Sequence, residues 1–391
     1  MEVKKLNLSG ISKELIFLLN IISDNKKKEI NDYGVPSEMD WELFLELAIH
    51  HRLYPNLAVR LRSLCIPSIP KNIVNKVNQY FEYNTFLMLQ YSSEMSHISS
   101  LFSENGIRSL FLKGPILAKE LYGDISLRTS SDLDLLVELK DLSKVDKLLT
   151  EKGYVKDEYI QSILSDWKWR HHHFTYINPI NNIKIEIHWR LNPGPGREPS
   201  FNYLWSRKET SLYTGKPIHY LGHVDLFYFL VTHGARHGWS RLRWLVDIHQ
   251  LIQKNVSCSL IWDTLKKYHV ESIGKQAILL SREILGTKLS KEWVHYLDEQ
   301  STKLAQEAVF YLERMVNLHN EPLPEEIACY HKRHLVALMS NYHKILFGLS
   351  TLYPYPEDAT TLPLPRYFHF LYFPLRPFIW LWRKTTKHAF S

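Results

Sequence analysis

The sequence predicts an α+β protein, with a mixed-sheet core standing between an N-terminal and a C-terminal helical region. Three observations carry this. Residues 1–105 have the apolar spacing of helices, including a stretch from Ile73 to Phe102 without Pro or Gly. Residues 106–221 alternate short apolar or two-periodic runs with short helical ones, as a mixed sheet requires. Helical spacing returns over 222–350, and residues 351–391 form a Pro- and aromatic-rich tail. The length of 391 residues suits two or three domains. At 45% hydrophobic and 23% charged, the composition excludes disordered and fibrous classes.

Each element follows from local chemistry. The run Leu15 to Ile22 reads as an amphipathic helix; it is too short to span a bilayer and lacks the order of a signal peptide. Lys26-Lys27-Lys28 reads as a solvated loop. Asp40 is placed to cap a helix opening at Trp41. Asn105-Gly106 ends the long helix, and Ile107 to Leu112 suits a buried strand. Lys113-Gly114-Pro115 is a turn with Pro positioned to begin the helix Ile116 to Tyr122, which Gly123 stops. Leu133 to Val137 is a second strand, followed by a helix over about 141–152 and a strand over about 154–157. Strands near 172–178 and 183–190 are joined by a turn-rich connection, Asn178 to Asn182. Further helices are expected near 223–236, 242–254, 259–269, 272–285, 301–318 and 332–349.

The net charge of +7 suits a protein that handles phosphates, nucleotides or an anionic membrane surface. Its basic residues are spread along the chain, so a nucleic-acid partner is not strongly indicated. Cys65, Cys258 and Cys329 are odd in number and far apart, which argues against a disulfide framework or a cysteine zinc site. A reducing cytoplasm is the simplest home.

The chemistry lies in Asp132-Leu133-Asp134. Side chains two apart on a strand share a face, so both carboxylates point one way and need a cation between them. Hard oxygen ligands favour Mg²⁺ or Mn²⁺ bridging to substrate phosphates. In Ile183-Lys184-Ile185-Glu186-Ile187-His188-Trp189 the isoleucines and Trp189 take one face and Lys184, Glu186 and His188 the other. If this strand lies beside the first, Glu186 becomes a third acid, enough for two metal ions about 3.5–4 Å apart. Lys113 and Gly114, where a strand meets a helix N-terminus, suit a phosphate. Arg128, four residues before Asp132, is a further candidate for a triphosphate.

These residues, Leu112-Lys113-Gly114, Leu121-Tyr122-Gly123-Asp124, Arg128, Asp132 to Val137 and Glu186-Ile187-His188-Trp189, resemble the uncharacterised nucleotidyltransferase family of the DNA polymerase β-like superfamily. The resemblance covers roughly 40–250. It implies a polymerase β-like core in which Asp132 and Asp134 hold Mg²⁺ on an NTP such as ATP. It also implies that Glu186 completes the site and helps deprotonate an acceptor hydroxyl, with pyrophosphate released. Lys113, Gly114, Arg128, His188 and Arg236 are then the nucleotide-contacting set. Two departures stand out: Lys113-Gly114-Pro115 replaces the usual Gly-Ser turn, and Glu186 stands where Asp is common.

His233 and His237 share a helical face, but without a His-Glu-x-x-His pattern zinc is disfavoured. That face, with Arg236, Arg241 and Arg243, is expected to look toward the cleft, with Asp247 pairing one of those arginines. In His171-His172-His173, strand alternation should send His172 away from its neighbours. The tail is read as docked on the core of the helical region, with peripheral membrane contact as the alternative. Rival functions are an Mn²⁺-dependent glycosyltransferase and a non-catalytic nucleotide-binding module. The acceptor, whether small molecule, peptide or protein, is not legible.

Overall fold

The alternating runs at 133–137 and 183–189 become neighbouring strands at the centre of a seven-stranded mixed sheet. A computed structural model describes residues 5–23, 35–64, 66, 68–254, 256–318 and 322–389. The lysine triplet at 26–28 and Cys65 lie outside the described residues. The strands are β1 (Ser109–Phe111), β2 (Leu133–Val137), β3 (Val155–Lys156), β4 (His173–Ile177), β5 (Lys184–His188), β6 (Glu209–Ser211) and β7 (Ile218–Tyr220). Their order is β3-β4-β5-β2-β1-β7-β6, with β2–β5 and β1–β7 parallel and the other pairs antiparallel.

Side-chain alternation divides the sheet between two cores. Leu133, Leu135, Val137, Ile185 and Ile187 face the helix Leu142–Glu151 and the C-terminal half of the 34-residue helix Lys71–Glu104. Leu110, Leu112 and Leu136 face the opposite way, into a larger core. This core joins the helices Lys13–Ile22, Trp41–His50 and Tyr54–Leu64 to the helices His223–Arg236, Arg243–Gln253 and Glu271–Leu285. Asp134, Glu186 and His188 are of the same strand parity as Leu136. They therefore lie on the sheet face that the N- and C-terminal helices flank.

The caps act as the sequence indicates. Asp40 accepts from the backbone N–H groups of Glu42 and Leu43, satisfying two donors at the start of Trp41–His50. Three expectations are corrected. The helix expected over 332–349 is two helices, Glu325–Leu338 and Asn341–Thr351, because Met339 is extended and the Ser340 hydroxyl caps the second. The hairpin of β6 and β7 was not anticipated; its strands are three residues each, too short for a periodic signal. The tail is largely helical, with Pro356–Thr361, a 3-10 segment Arg366–Leu371 and Tyr372–Ala389. It docks through Tyr372 and Ile379 on Ile163, a residue of the α/β core and not of the helical region. Among the described residues, no helix is long and apolar enough to cross a membrane.

Candidate functional site

Parallel pairing of β2 with β5 puts Asp134 directly opposite Glu186. His188 stands between them, its Nε2 3.0 Å from Asp134 Oδ1 and 3.6 Å from Glu186 Oε2. Across the turn from β1, Lys113 Nζ is 3.2 Å from Asp134 Oδ2. Lys184 contacts Glu186 Oε1 at 2.6 Å, and His173 Nε2 lies 3.8 Å from Oε2. Asp134 is fully buried, and its Oδ2 and the His188 Nδ1 have no hydrogen-bond partner. Ligand atoms of Asp134, Glu186 and His188 lie within 4.8 Å of one another, as do those of His172, His173 and His188. Asp132 is outside both groups, half-buried just before β2, where the Ser131 hydroxyl donates to its Oδ2 at 3.2 Å.

The charges are strongly coupled. Burial, then the neighbouring Asp134 charge, pushes the Asp132 carboxyl up to about 6. Burial also acts to raise Asp134, but the Lys113 charge and the His188 hydrogen bond outweigh it and hold this carboxyl low. Glu186 is held far below the usual carboxylate range: burial is overcome by the His188 hydrogen bond and by the His173, His188 and Lys184 charges. His188 moves the other way. Its burial is overcome by hydrogen bonds to Asp134 and Glu186, so it is raised and favours the cation. Burial and the His188 charge lower His173 to about 4.

The Lys113-Gly114 turn is set by backbone geometry. Gly114 has φ +91° and ψ −154°, a region essentially reserved for glycine, and caps the helix Pro115–Tyr122. A Cβ there would meet Leu133 Cδ2 at 3.2 Å and Asp132 O at 3.9 Å, so the turn lies against the Asp132 strand. The hydrogen bond from Leu112 N to Asp134 O, 2.9 Å, locks the two together.

A cationic wall faces the acids. Arg236, at the end of His223–Arg236, contacts His233 Nδ1 at 3.2 Å and leaves a buried Nη1 without a partner. Burial, opposed by the charges of Glu186 and Asp134, brings its guanidinium down to about 10. Burial and Arg52 lower Arg241 to about 10; burial and Arg128 lower Arg243 to about 9. At all three, burial is the largest cause of the lowering. The N-terminal helices hold this wall in place: Arg243 N donates to His51 O at 3.2 Å, and His50 Nε2 lies 3.1 Å from Ser240 O.

Of the sequence candidates, Lys113, Asp134, Glu186 and His188 are in direct contact, with Gly114, Asp132 and Arg236 bordering them. Arg128 lies close by but makes its direct contacts with Asp247. Its fully buried guanidinium reaches Asp247 at 2.9–3.2 Å and the Thr129 carbonyl at 3.2 Å. Asp247 therefore pairs with Arg128, correcting the expected pairing with Arg236, Arg241 or Arg243. Arg243 instead donates to the Thr129 carbonyl at 2.7 Å.

The alternation argument for His172 also fails. β4 begins at His173, so His172 is not bound by strand alternation, and its ring lies 4.5 Å from that of His173 and 5.2 Å from that of His188. His172, His173 and Lys184 were missed as site residues. The hairpin register was the available signal, since the 178–182 turn sets His173 opposite His188. Among the described residues, His233 and His237 belong to no three-ligand group.

A cavity of about 750 Å³ is lined by Arg236, which feels the charges of Glu186 and Asp134, and by His171. Trp169, Arg190 and Tyr228 line it from within residues 159–236, and Leu338 and Phe347 close it from the C-terminal helices. Its volume is that of a small-molecule pocket. Glu198 shapes one edge, accepting from Leu191 N at 2.9 Å and Asn192 N at 3.0 Å to close the 191–198 loop.

The chain matches the family model for uncharacterised nucleotidyltransferases over residues 37–286, well over half its length, and belongs to that family. Comparisons with curated proteins and with solved structures found no match. The carboxylates, the Lys113-Gly114 turn and the arginine wall lie inside the matched span; the outer wall of the cavity, Leu335 to Glu357, lies beyond it.

Proposed function

We propose that this nucleotidyltransferase-family protein has a polymerase β-like core and moves an NMP from an NTP to an acceptor hydroxyl or phosphate. The observation that carries the reading is the in-register pair Asp134 and Glu186 on adjacent parallel strands, with Lys113 3.2 Å from Asp134. A divalent cation fits this donor set. Two carboxylates and an imidazole converge within 4.8 Å, and the one cation on the buried Asp134 Oδ2, Lys113 Nζ at 3.2 Å, sits where substrate phosphate would compete for it. Asp134, Glu186 and Asp132 would hold Mg²⁺ or Mn²⁺, with His188 either a further ligand or a hydrogen-bond partner that orients the acids.

Bound there, such an ion supplies charge neutralisation at the phosphates and polarises the α-phosphoryl group. The chain's own groups do the rest. Lys113 and the backbone N–H groups that follow Pro115 in the first turn of the helix bind phosphate oxygens. Arg236, Arg241 and Arg243 take up charge on the leaving pyrophosphate. As the acceptor oxygen bonds to the α-phosphorus and the α–β bridging P–O bond breaks, the hydroxyl proton passes to a carboxylate of the site; Asp132, pushed up to about 6, is a better base than Glu186, which is held far below the usual range. The cavity bordered by Arg236 is the acceptor site, and its volume of about 750 Å³ suits a small molecule or a single side chain.

Incubating the protein with each α-labelled NTP, Mg²⁺ or Mn²⁺, and cell extract tests this. The expected result is one labelled product that EDTA, Asp132→Asn and Asp134→Asn each abolish without unfolding the protein. Undiminished labelling by a folded Asp132→Asn/Asp134→Asn variant would overturn the assignment.

A further inference from the structure

The helix Tyr372–Ala389 turns Arg376 and Arg383 inward and an apolar side outward. Tyr372, Arg376, Ile379 and Arg383, spaced at i, i+4, i+7 and i+11, form the inward stripe. Arg376 and Arg383 both reach the fully buried Asp358, Arg383 Nη2 at 2.9 Å from Oδ1. Arg376 Nε also donates to Thr351 O at 2.6 Å, and the buried Tyr372 hydroxyl donates to Leu362 O at 2.7 Å. These contacts fix which side of the helix faces out. On that side Phe378 is 70% exposed, Leu381 56%, Trp382 55% and Trp380 50%. The 3-10 segment just before it adds Tyr367 at 91% and Phe370 at 58%.

A helix bordering water places its charged residues outward. This one spends two arginines on an internal carboxylate, and the surface left is aromatic and far more apolar than a soluble protein ordinarily presents in one place. Residues 359–391 also contain Arg366, Arg376, Arg383, Lys384 and Lys387 and no Asp or Glu. Trp and Phe beside basic residues, on a helix that does not meet the criteria for crossing a bilayer, match a helix lying in the plane of a membrane surface.

We propose that the outward face of 366–382 docks on an anionic phospholipid bilayer, with the Asp358–Arg376–Arg383 network setting the orientation of the helix. The aromatic and leucine side chains enter the headgroup–acyl boundary, and the uniform positive charge selects anionic over zwitterionic lipid. This docking is independent of the transfer reaction proposed above.

Flotation of the full-length protein on sucrose gradients tests it. The vesicles are phosphatidylcholine alone, and equimolar phosphatidylcholine and phosphatidylglycerol. The wild type is expected to float with the mixed vesicles, weakly with phosphatidylcholine, and less as salt rises. Phe378→Ser/Leu381→Ser, both outward-facing, should bind at least about tenfold more weakly with unchanged circular dichroism and thermal midpoint. Failure of the wild type to float, equal flotation of the variant, or equal binding to both vesicles would overturn the proposal. So would a concentration-dependent dimer that the same two substitutions abolish, because the face would then belong to a second copy of the chain.

Discussion

Asp247→Leu should cost this protein a large part of its stability, and the structure sets the size. Asp247 is fully buried and accepts from Arg128 Nε at 2.9 and 3.2 Å, from Nη2 at 3.0 Å, and from the Tyr122 hydroxyl at 2.7 Å. Removing it leaves a cation that is 1% exposed with no counter-ion, a loss of about 3–5 kcal/mol. The orphaned Tyr122 hydroxyl adds about 1 kcal/mol or more. Their sum is about 4–6 kcal/mol, which coupling within the one shared network will shift. Urea unfolding followed by circular dichroism measures it. Arg128→Met/Asp247→Leu, which removes both charges, should recover stability to within about 1–2 kcal/mol of wild type. It should also keep metal-dependent NTP binding, since Arg128 braces the loop before Asp132 and faces Asp247. A single variant within about 1 kcal/mol of wild type would refute the brace. A stable double variant that no longer binds NTP would return Arg128 to the triphosphate.

Three further outcomes follow from local geometry. Gly114→Ala must adopt φ +91° with its Cβ 3.2 Å from Leu133, so it should lose about 1–3 kcal/mol and bind NTP more weakly; unchanged binding by calorimetry would detach the turn from the phosphate. Gly234→Ala drives a Cβ to 2.2 Å from the Trp239 ring, so the helix carrying Arg236 should shift; a thermal midpoint equal to wild type would contradict that packing. Asp225 is buried with both oxygens lacking hydrogen bonds, and burial raises its carboxyl from 3.8 to about 6 despite Arg207 at 3.2 Å. The folded state therefore binds this proton more tightly than the unfolded, so the Asp225 contribution to stability is greatest below about pH 4 and falls as pH rises through about 6. Asp225→Asn should remove that fall and gain about 2–3 kcal/mol near neutral pH. Parallel stability–pH curves for variant and wild type would show that Asp225 does not titrate in this way.

The elements that position the acids were legible because they depend on local chemistry. Strand alternation put Asp134 and Glu186 on polar faces, Gly114 marked a turn that only glycine fits, and Asp40 marked a helix start. That β2 and β5 pair in parallel, with Asp134 opposite Glu186, is a long-range fact that periodicity does not encode. The same limit explains the arginines. Arg128 lies 119 residues from Asp247 in sequence, so a proximity argument assigned Asp247 to nearer cations. His172 was misjudged because alternation was carried one residue past the start of β4. The tail docks on Ile163, far from it in sequence, and no local pattern announces that contact.

Crystals grown with Mn²⁺ and a non-hydrolysable NTP, measured at the manganese edge, test the central claim most directly. The account predicts an anomalous peak about 2.0–2.3 Å from carboxylate oxygens of Asp134 and Glu186, contacting the triphosphate, and its loss in Asp134→Asn. A nucleotide bound without such a peak, or manganese held by His172, His173 and His188 alone, would contradict it.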